Sequence, residues 1–168
     1  MANSSARCDV HALFDAAEAA GRVGLARKTR PVDVRPAVAG EVIETWIAGV
    51  LETRSRPAAA GDMVVRNRCP QTGNEQFLVS AAKFGERYEG PIGPPGPDGW
   101  RPYRPIGRDM RYFRVDESQG SFSFVAPWGE PMIAEPGDVI VRNPADPTDV
   151  YRIAAAAFEC TYEVTRPA

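Results

Sequence analysis

The sequence is poor in the residues on which most enzyme mechanisms and metal sites depend. It has a single histidine, His11, so a Ser-His or Cys-His mechanism would have to run through the N-terminal segment. Cys8 and His11 have metal-ligand spacing, but zinc needs more ligands and no second such pair occurs. Neither a P-loop nor a G-x-G-x-x-G motif is present, which excludes the common nucleotide-binding fingerprints. The sequence therefore indicates no catalytic residue, no metal ligand and no cofactor.

Long apolar runs are absent as well. No stretch approaches the ~18 apolar residues of a membrane span, and the N-terminus lacks the apolar core of a secretion signal. The net charge of −2 provides no general attraction to nucleic acid or to anionic membranes. The cysteines Cys8, Cys69 and Cys160 are odd in number and far apart, which favours reduced thiols over a disulfide framework. These features predict a cytoplasmic protein with no membrane partner.

The composition is that of a globular protein. A chain of 168 residues, 43% hydrophobic and 25% charged, can form one well-buried domain or two marginal halves of about 60 residues. Lys28 and Lys83 are the only lysines, and arginine supplies the other cations. We attribute this skew to coding bias, which lowers the functional weight of any single arginine.

The most informative feature is an internal repeat. Gly61-Asp62-Met63-Val64-Val65-Arg66-Asn67 returns as Gly137-Asp138-Val139-Ile140-Val141-Arg142-Asn143. The similarity continues through three further pairs of segments: 75–79 with 149–153, 81–84 with 155–158, and 88–89 with 162–163. The repeated unit is a strand, a turn, a second strand and a short helix.

Hydrophobic periodicity predicts the elements around and within the repeat. Residues 9–20 form an amphipathic helix that ends at Gly21. The predicted strands are 31–35, 41–47, 49–52, 62–67, 76–80, 122–126, 130–134, 138–143 and 150–153, and the predicted short helices follow Ser80 and span 155–162.

The fold class is therefore α+β. We expect internally duplicated antiparallel β units in a pseudo-twofold arrangement, preceded by an N-terminal helix. The expected segments are an N-terminal helical segment (1–27), a first repeat (28–89), a Pro/Gly-rich linker (90–108) and a second repeat (109–168), with the repeats packed as one globular domain.

The Gly-Asp pair ahead of each repeat strand has a structural explanation. Glycine takes the backbone angle of the turn, and aspartate accepts a hydrogen bond from a nearby backbone N–H. A catalytic carboxylate pair, as in duplicated acid proteases, needs a small hydroxyl residue and glycine after each aspartate. Met63-Val64 and Val139-Ile140 follow here instead, so the turn explanation is favoured.

Four shared polar residues leave room for a ligand: Arg66, Asn67, Arg142 and Asn143. If the arginines reached one groove between the repeats, they would hold a phosphate or carboxylate. In the structural alternative each asparagine starts a turn, and each arginine pairs with an acid, for which Glu89 and Glu163 are the shared candidates.

The stretch 100–114 interleaves arginines with aromatic residues, a pattern found in proteins that bind single-stranded nucleic acid. Pro102-Tyr103-Arg104-Pro105 also has the spacing of a proline-rich ligand. The candidate interaction residues are Trp100, Arg101, Tyr103 and Arg104. Before them, residues 90–99 carry three Gly-X-Y triplets, too few for a collagen helix and typical of a stiff, extended linker.

One family resemblance emerges from the second repeat. The run 136–141, followed by Val150-Tyr151-Arg152-Ile153 and by Phe158-x-x-x-Tyr162-Glu163, resembles the small bacterial and phage proteins of PGDYG type. Residues 31–34 are similar to the Pro-Val strand that opens related phage proteins. Val139 stands where the family has tyrosine, and Ala60 stands at the proline position of the first repeat. The resemblance implies no activity and no functional residue.

The sequence thus favours a non-enzymatic binding or protein-interaction module on a duplicated β-rich scaffold. Its partner would be a protein or an anionic small molecule, and a homodimer stays open. One alternative is a small enzyme or a binder of an anionic metabolite in a groove between the repeats. The other is a weak single-stranded nucleic-acid binder acting through residues 100–114, which the acidic net charge disfavours.

Overall fold

A computed structural model describes residues 6–168, which form an α+β fold with several β-sheets. In chain order the helices are α1 (Val10–Ala19), α2 (Ala81–Arg87) and α3 (Ala155–Thr161), with a 3₁₀ turn at Pro70–Thr72. The strands are β1 (Ala6–Arg7), β2 (Gly24–Lys28), β3 (Val32–Pro36), β4 (Glu44–Ile47), β5 (Val50–Arg54), β6 (Met63–Asn67), β7 (Gln76–Val79), β8 (Tyr88–Glu89), β9 (Arg101–Pro105), β10 (Met110–Arg114), β11 (Phe122–Val125), β12 (Pro131–Ala134), β13 (Val139–Asn143), β14 (Asp146–Ile153) and β15 (Tyr162–Arg166).

The chain divides into two compact units. The terminal unit contains the chain up to Arg27, Asp109–Glu159 and Glu163–Ala168. The central unit contains Lys28–Arg108 and Cys160–Tyr162. The Pro/Gly-rich segment 90–108 therefore belongs to the central unit and is not a separate linker. Its backbone is tied in by hydrogen bonds such as Ile92 N–H to the Pro102 carbonyl, at 2.9 Å.

The terminal unit has a five-stranded sheet in the order β14-β13-β10-β2-β15 and a smaller sheet in the order β1-β11-β12. Its core includes Phe14, Phe113 and Ile140, all fully buried. Phe14 comes from α1, whose N-terminus is capped by Asp9: the carboxylate accepts hydrogen bonds from the backbone N–H groups of His11 and Ala12, at 3.0 and 3.2 Å.

The central unit has a five-stranded sheet in the order β7-β6-β3-β9-β8 and the separate hairpin β4-β5. β6 pairs antiparallel with β7 on one side and with β3 on the other. This central position explains why β6 is apolar on both faces, since Val64 and Val65 are both fully buried. The helices of the described chain are too short or too polar to span a membrane.

The two large sheets follow one plan. In each, the strand after Gly-Asp (β6 or β13) lies between the strand that follows it (β7 or β14) and an earlier strand (β3 or β10). A further strand lies between that earlier strand and the strand after the short helix. In the central unit β9 lies between β3 and β8, and in the terminal unit β2 lies between β10 and β15. The corresponding aspartates also have corresponding contacts.

Asp62 and Asp138 hold the turn and the helix of each repeat together. Gly61 and Gly137 have φ of 88° and 94°, the left-handed conformation that the turn requires. Asp62 accepts hydrogen bonds from the N–H groups of Ala59 (2.9 Å) and Ala81 (3.2 Å), the latter at the start of α2. The interpretation of Gly-Asp as a turn motif is confirmed, and the aspartate also caps the following helix.

Asp138 makes the same contacts in the terminal unit, accepting hydrogen bonds from the N–H groups of Glu135 (2.9 Å) and Ala155 (3.3 Å). Each aspartate also pairs with an arginine: Asp62 with Arg56 and Asp138 with Arg152. For Asp62, burial would raise the pKa, but the hydrogen bonds from Ala59, Arg56 and Ala81 outweigh it and hold the pKa below its ordinary value.

The expectation of reduced thiols is wrong for two of the three cysteines. Cys69 and Cys160 form a disulfide in the central unit with a Cα–Cα distance of 5.8 Å, across a sequence separation of 91 residues. Cys8 is the free cysteine. An odd count leaves one thiol over and does not prevent the other two from pairing, and sequence spacing gave no sign that the folded chain brings them together.

Candidate functional site

Arg66 is held by carboxylates of its own unit. Its guanidinium lies 3.2 Å from Asp98 and 3.8 Å from Asp33, and it stacks 4.1 Å from the ring centroid of Trp100. Asp33 also pairs with Arg68 at 2.9 Å. Glu89, the acid expected from sequence, forms an ion pair with Arg104 instead. Arg66 thus ties the segment before β9 to the strand β6.

A shallow depression lies beside this network and encloses about 440 Å³. Its charged lining consists of two arginines and two aspartates, which balance. Because the carboxylates already neutralise the guanidinium groups, a free anion would have to displace an aspartate to bind. The lining residues are Asp33, Arg66, Arg68, Pro94, Gly96, Pro97, Asp98, Trp100 and Pro102.

Arg142 has a comparable environment in the terminal unit. Its guanidinium bonds to Asp15 at 2.8 Å, donates to the His11 carbonyl at 3.3 Å, and lies 4.4 Å from the centroid of the Phe14 ring. All three partners belong to the segment around α1. Asp15 therefore takes the place that the sequence suggested for Glu163, and Arg142 holds α1 against the strand β13.

Each asparagine bonds to an acidic residue further along the chain: Glu75, just before β7, and Asp149, within β14. Asn67, 5% exposed, donates to Glu75 at 2.8 Å, and Asn143 donates to Asp149 at 3.4 Å. Asn143 also accepts a hydrogen bond from the Ala145 N–H at 2.9 Å, as a turn-starting asparagine does. Each asparagine therefore fixes the connection between the two repeat strands.

The arginine-aromatic stretch offers few free rings. Trp100 is 9% exposed, and Tyr103 packs edge-on against Phe84 at 5.1 Å. Arg101 and Arg104 are exposed on β9, which lies between β3 and β8. Because residues 102–105 belong to a strand paired on both sides, they are not available as an extended proline-rich ligand.

Exposed apolar side chains cluster around the hairpin β4-β5, which we call the Trp46 hairpin. Exposed large apolar side chains are concentrated in the short stretch 38–51. They are Val38 (69% exposed), Val42 (44%), Trp46 (49%), Val50 (68%) and Leu51 (38%). Trp46 and Leu51 are cross-strand partners and project from one face, whereas Val50 pairs with Ile47 and projects from the other face, next to the turn.

The opposite side of the Trp46 hairpin is anchored to the central unit. Ile43 is buried beside Val64 and Trp100. Thr45, 7% exposed, donates its hydroxyl to the Gln76 carbonyl at 2.7 Å. Just beyond the ends of the two strands, the Ser55 N–H donates a hydrogen bond to the Ile43 carbonyl at 2.8 Å. The hairpin is thus a fixed element that presents apolar side chains, and not a loosely attached loop.

The turn of the Trp46 hairpin has an uncommon backbone. Ala48 has φ of 50° and Gly49 has φ of 82°, so both central residues are left-handed. This geometry suits the twist of a two-residue hairpin but costs a residue with a Cβ atom roughly 1 kcal/mol. The Ala48 N–H bonds to the Thr72 carbonyl at 3.0 Å, which holds the turn in place.

The hairpin of the terminal unit, β11-β12, also exposes apolar side chains: Val125 (46%), Trp128 (41%) and Ile133 (55%). Its tryptophan, however, has side-chain partners. Trp128 lies 5.7 Å from the Tyr151 ring and donates its indole N–H to Glu130 at 2.7 Å. Trp46 has no aromatic or cationic partner of this kind within residues 6–168. The Trp46 hairpin is therefore the better candidate for binding.

A salt bridge fixes the loop that leads into the Trp46 hairpin. Arg35 donates to both carboxylate oxygens of Glu41, at 2.9 and 2.6 Å, and Glu41 also accepts from the Val38 N–H at 3.0 Å. The Arg35 hydrogen bonds, aided by that of Val38, lower the pKa of Glu41 to about 2.

We expect Glu41→Gln to lower the free energy of unfolding at pH 7 by about 1 kcal/mol, a figure reduced from the full pKa shift because both side chains are partly exposed. The pKa is depressed in the folded state. The stabilisation is therefore complete above the unfolded pKa of about 4.3 and is lost as the pH falls towards 2. Urea unfolding of both proteins between pH 7 and pH 2 measures the difference, and a constant difference over that range would contradict the assignment.

Sequence reasoning missed this surface. Alternation predicted strands 41–47 and 49–52, and the hairpin forms over Glu44–Ile47 and Val50–Arg54, but alternation did not show which face would remain uncovered. One signal was available: Val50 and Leu51 are consecutive apolar residues in a strand that has one partner. A strand whose two faces are both apolar normally needs cover on both sides.

Comparisons with known proteins add no assignment. No protein-family model matches the chain, and neither the curated proteins nor the solved structures contain a significant match. Among the described residues, no group of three or more His, Cys, Asp or Glu side chains is arranged to hold a metal ion.

Proposed function

We propose that the protein is a non-enzymatic protein-interaction module that docks its partner on the Trp46 hairpin. The observation that carries this proposal is the exposure of five large apolar side chains within residues 38–51, three on the anchored hairpin and two in the loop that leads into it. Exposed apolar side chains concentrated in one part of a folded protein commonly mark interaction sites. Tryptophan is also one of the residues that are enriched at binding hot spots.

The energetics support a docking role. Full burial of an exposed valine or leucine side chain contributes about 1.5–3 kcal/mol, and tryptophan offers more area. The ordering cost of binding would be low, because Ile43, Thr45 and the Ala48 N–H already hold the hairpin. The left-handed conformation of Ala48 also supports a docking role, because backbone strain is concentrated at functional sites.

The binding of an anionic metabolite at the shared arginines has weaker support. Arg66 and Arg142 each pair with an aspartate and stack on an aromatic ring. These contacts give each arginine a sufficient structural role. An anion site there, and nucleic-acid binding through Arg101 and Arg104, stay predictions with no observation that favours them over the hairpin.

We further propose that the fold arose by duplication, as the matching strand orders suggest. In this proposal β2 is the first strand of repeat one and β9 is the first strand of repeat two. β2 lies in the sheet that contains β13 of the second repeat, and β9 lies in the sheet that contains β6 of the first repeat. The segment ahead of each opening strand supplies the aspartate and aromatic ring that hold the other repeat's arginine. A pseudo-twofold axis and membership of the PGDYG-type proteins are part of the same proposal.

The docking surface is tested by site-specific photo-crosslinking in the native cell. A photoreactive residue at position 50 is expected to give discrete crosslinked species with a partner. The control places the same residue at position 125, which is also exposed (46%, against 68% at position 50) but lies on the hairpin β11-β12. Trp46→Ala combined with the photoreactive residue at position 50 is expected to remove the species.

Two results would contradict the proposal. One is the absence of crosslinks from position 50 in cells where the protein is folded and abundant. The other is an equal crosslinking pattern from positions 50 and 125, which would indicate non-specific contact. Thermal unfolding of each variant establishes that the protein is folded, and no loss of stability is expected because both positions are exposed.

A further inference from the structure

The disulfide Cys69–Cys160 joins a buried residue to a partly exposed one. Cys69 is 0% exposed, whereas Cys160 is partly exposed. An external thiol can therefore approach this disulfide only from the Cys160 side.

Polar groups surround the disulfide. The exposed Arg30 places its guanidinium 3.2 Å from the Cys160 sulfur and donates to the Arg68 carbonyl at 2.9 Å. The Gln71 side-chain oxygen lies 3.2 Å from the Cys160 sulfur and 3.6 Å from the Cys69 sulfur. In the reduced protein Gln71 can accept a hydrogen bond from either thiol, and Arg30 stabilises a Cys160 thiolate. The site thus accommodates both oxidation states.

A short chain of contacts links this disulfide to the Trp46 hairpin. Cys69 precedes the 3₁₀ turn Pro70–Thr72, and its carbonyl accepts the Thr72 hydroxyl at 3.0 Å. The Thr72 carbonyl in turn accepts the Ala48 N–H at 3.0 Å, at the tip of the hairpin. Thr72, whose carbonyl accepts the bond that holds the hairpin turn, is thus only three positions along the chain from the buried Cys69.

We infer that Cys160 is a thiol–disulfide exchange site for an external monothiol of the glutathione class, and that opening the disulfide loosens the Trp46 hairpin. This inference rests on the proposed function in one respect, since the hairpin must be the docking surface for the exchange to regulate binding. The exchange at Cys160 itself stands independently of any partner.

The chemistry proceeds in two balanced steps. A thiolate RS⁻ attacks the Cys160 sulfur, the Cys69–Cys160 bond breaks, and Cys69 leaves as a thiolate that takes a proton from water. A second thiolate attacks the R sulfur of the mixed disulfide, which releases RSSR and the Cys160 thiolate beside Arg30. Two thiols are oxidised to RSSR and one protein disulfide is reduced to two thiols.

The test uses the full chain with Cys8→Ser, so that only Cys69 and Cys160 can react. Reduced glutathione is added, the reaction is quenched with acid, and the site of glutathione attachment is mapped by mass spectrometry of peptides. The expected adduct is on Cys160. Arg30→Gln is expected to lower the exchange rate about threefold, because the charge that stabilises the Cys160 thiolate is lost. Arg30→Lys keeps the charge and should leave the rate closer to that of the parent.

Hydrogen exchange measures the link to the hairpin. On reduction the Ala48 amide is expected to exchange at least about tenfold faster, because its acceptor sits in the turn that the disulfide holds. The Ala81 amide, bonded to Asp62, is the internal control and should change less than about twofold. Cys69→Ala/Cys160→Ser should show the fast Ala48 exchange with or without thiol.

Adduct formation on Cys69, or resistance to glutathione under conditions where the protein stays folded, would overturn the exchange site. Equal acceleration at Ala48 and Ala81 would mean global unfolding and would overturn the local link, as would an unchanged Ala48 rate. Crosslinking from position 50 is then compared in the oxidised and reduced states. The absence of crosslinks in both states would reject the docking surface while leaving the chemistry at Cys160 intact.

Discussion

Removal of the Cys69–Cys160 disulfide is expected to lower the free energy of unfolding by about 4 kcal/mol. The bond joins residues 91 positions apart. Cross-linking over so long a stretch removes much of the conformational freedom of the unfolded chain, and it is this effect that the reduced protein loses. The loss is a large fraction of the ~5–15 kcal/mol that separates most folded domains from their unfolded state.

Two routes to the reduced state separate the disulfide from side-chain packing. Reduction of the Cys8→Ser protein with dithiothreitol changes no side-chain volume, whereas Cys69→Ala/Cys160→Ser alters the buried Cys69 site. Urea unfolding at pH 7 should give similar losses by the two routes. Unfolding curves that coincide with and without dithiothreitol would show that the two sulfurs are not bonded in solution.

Asp138→Ala is expected to destabilise the protein by about 3–5 kcal/mol, more than the ~2–3 kcal/mol expected for Asp62→Ala. Both aspartates accept hydrogen bonds from a turn and from the first residue of a helix. They differ in the arginine that they hold. The Arg152 side chain is 13% exposed, whereas that of Arg56 is 43% exposed.

This difference in exposure determines the order of the two losses. Burial lowers the pKa of Arg152 to about 10 and raises the pKa of Asp138, so both partners of this pair are poorly solvated. Loss of the Asp138 carboxylate weakens the stabilisation of a charge in that environment, whereas Arg56 can turn towards solvent. Urea unfolding of the two alanine variants measures the difference, with Asp→Asn at each position as the control that keeps one acceptor oxygen. Equal losses would contradict the role of the buried arginine.

The sequence was sufficient for the elements inside the repeat. Consecutive apolar residues after Gly-Asp mark β6 and β13, and alternation marks the two strands of the Trp46 hairpin. Asp9 and Gly21 define α1 equally well. In these segments local propensity, turn chemistry and burial all favour the same structure, which is the condition under which sequence patterns are informative.

The strands β2 and β9 could not be predicted from the local sequence. β2 contains Gly24 and Ala26, and β9 contains Pro102 and Pro105, residues that weaken a strand assignment. These strands form because β3 and β10 offer unpaired edges that are distant in sequence. The Cys69–Cys160 pair depends on the same long-range arrangement, and no local pattern encodes it.

The candidate site shows the same limit. The repeat drew attention to Arg66 and Arg142 because they are shared, yet their contacts with Asp98, Asp15 and the neighbouring rings assign them to the scaffold. The Trp46 hairpin was recognised as a hairpin, but exposure depends on which elements cover it. Binary patterns distinguish two faces and do not reveal whether one of them lacks a covering layer.

The central claim is that the Trp46 hairpin binds a partner while the shared arginines maintain the fold. One parallel measurement addresses it: recovery of the species crosslinked from position 50, compared between Trp46→Ala, Arg66→Ala and Arg142→Ala, with thermal unfolding of each. We expect Trp46→Ala to abolish the species without lowering the melting temperature, and both arginine variants to retain it while losing stability. Retention in Trp46→Ala, with loss in a folded arginine variant, would contradict the account.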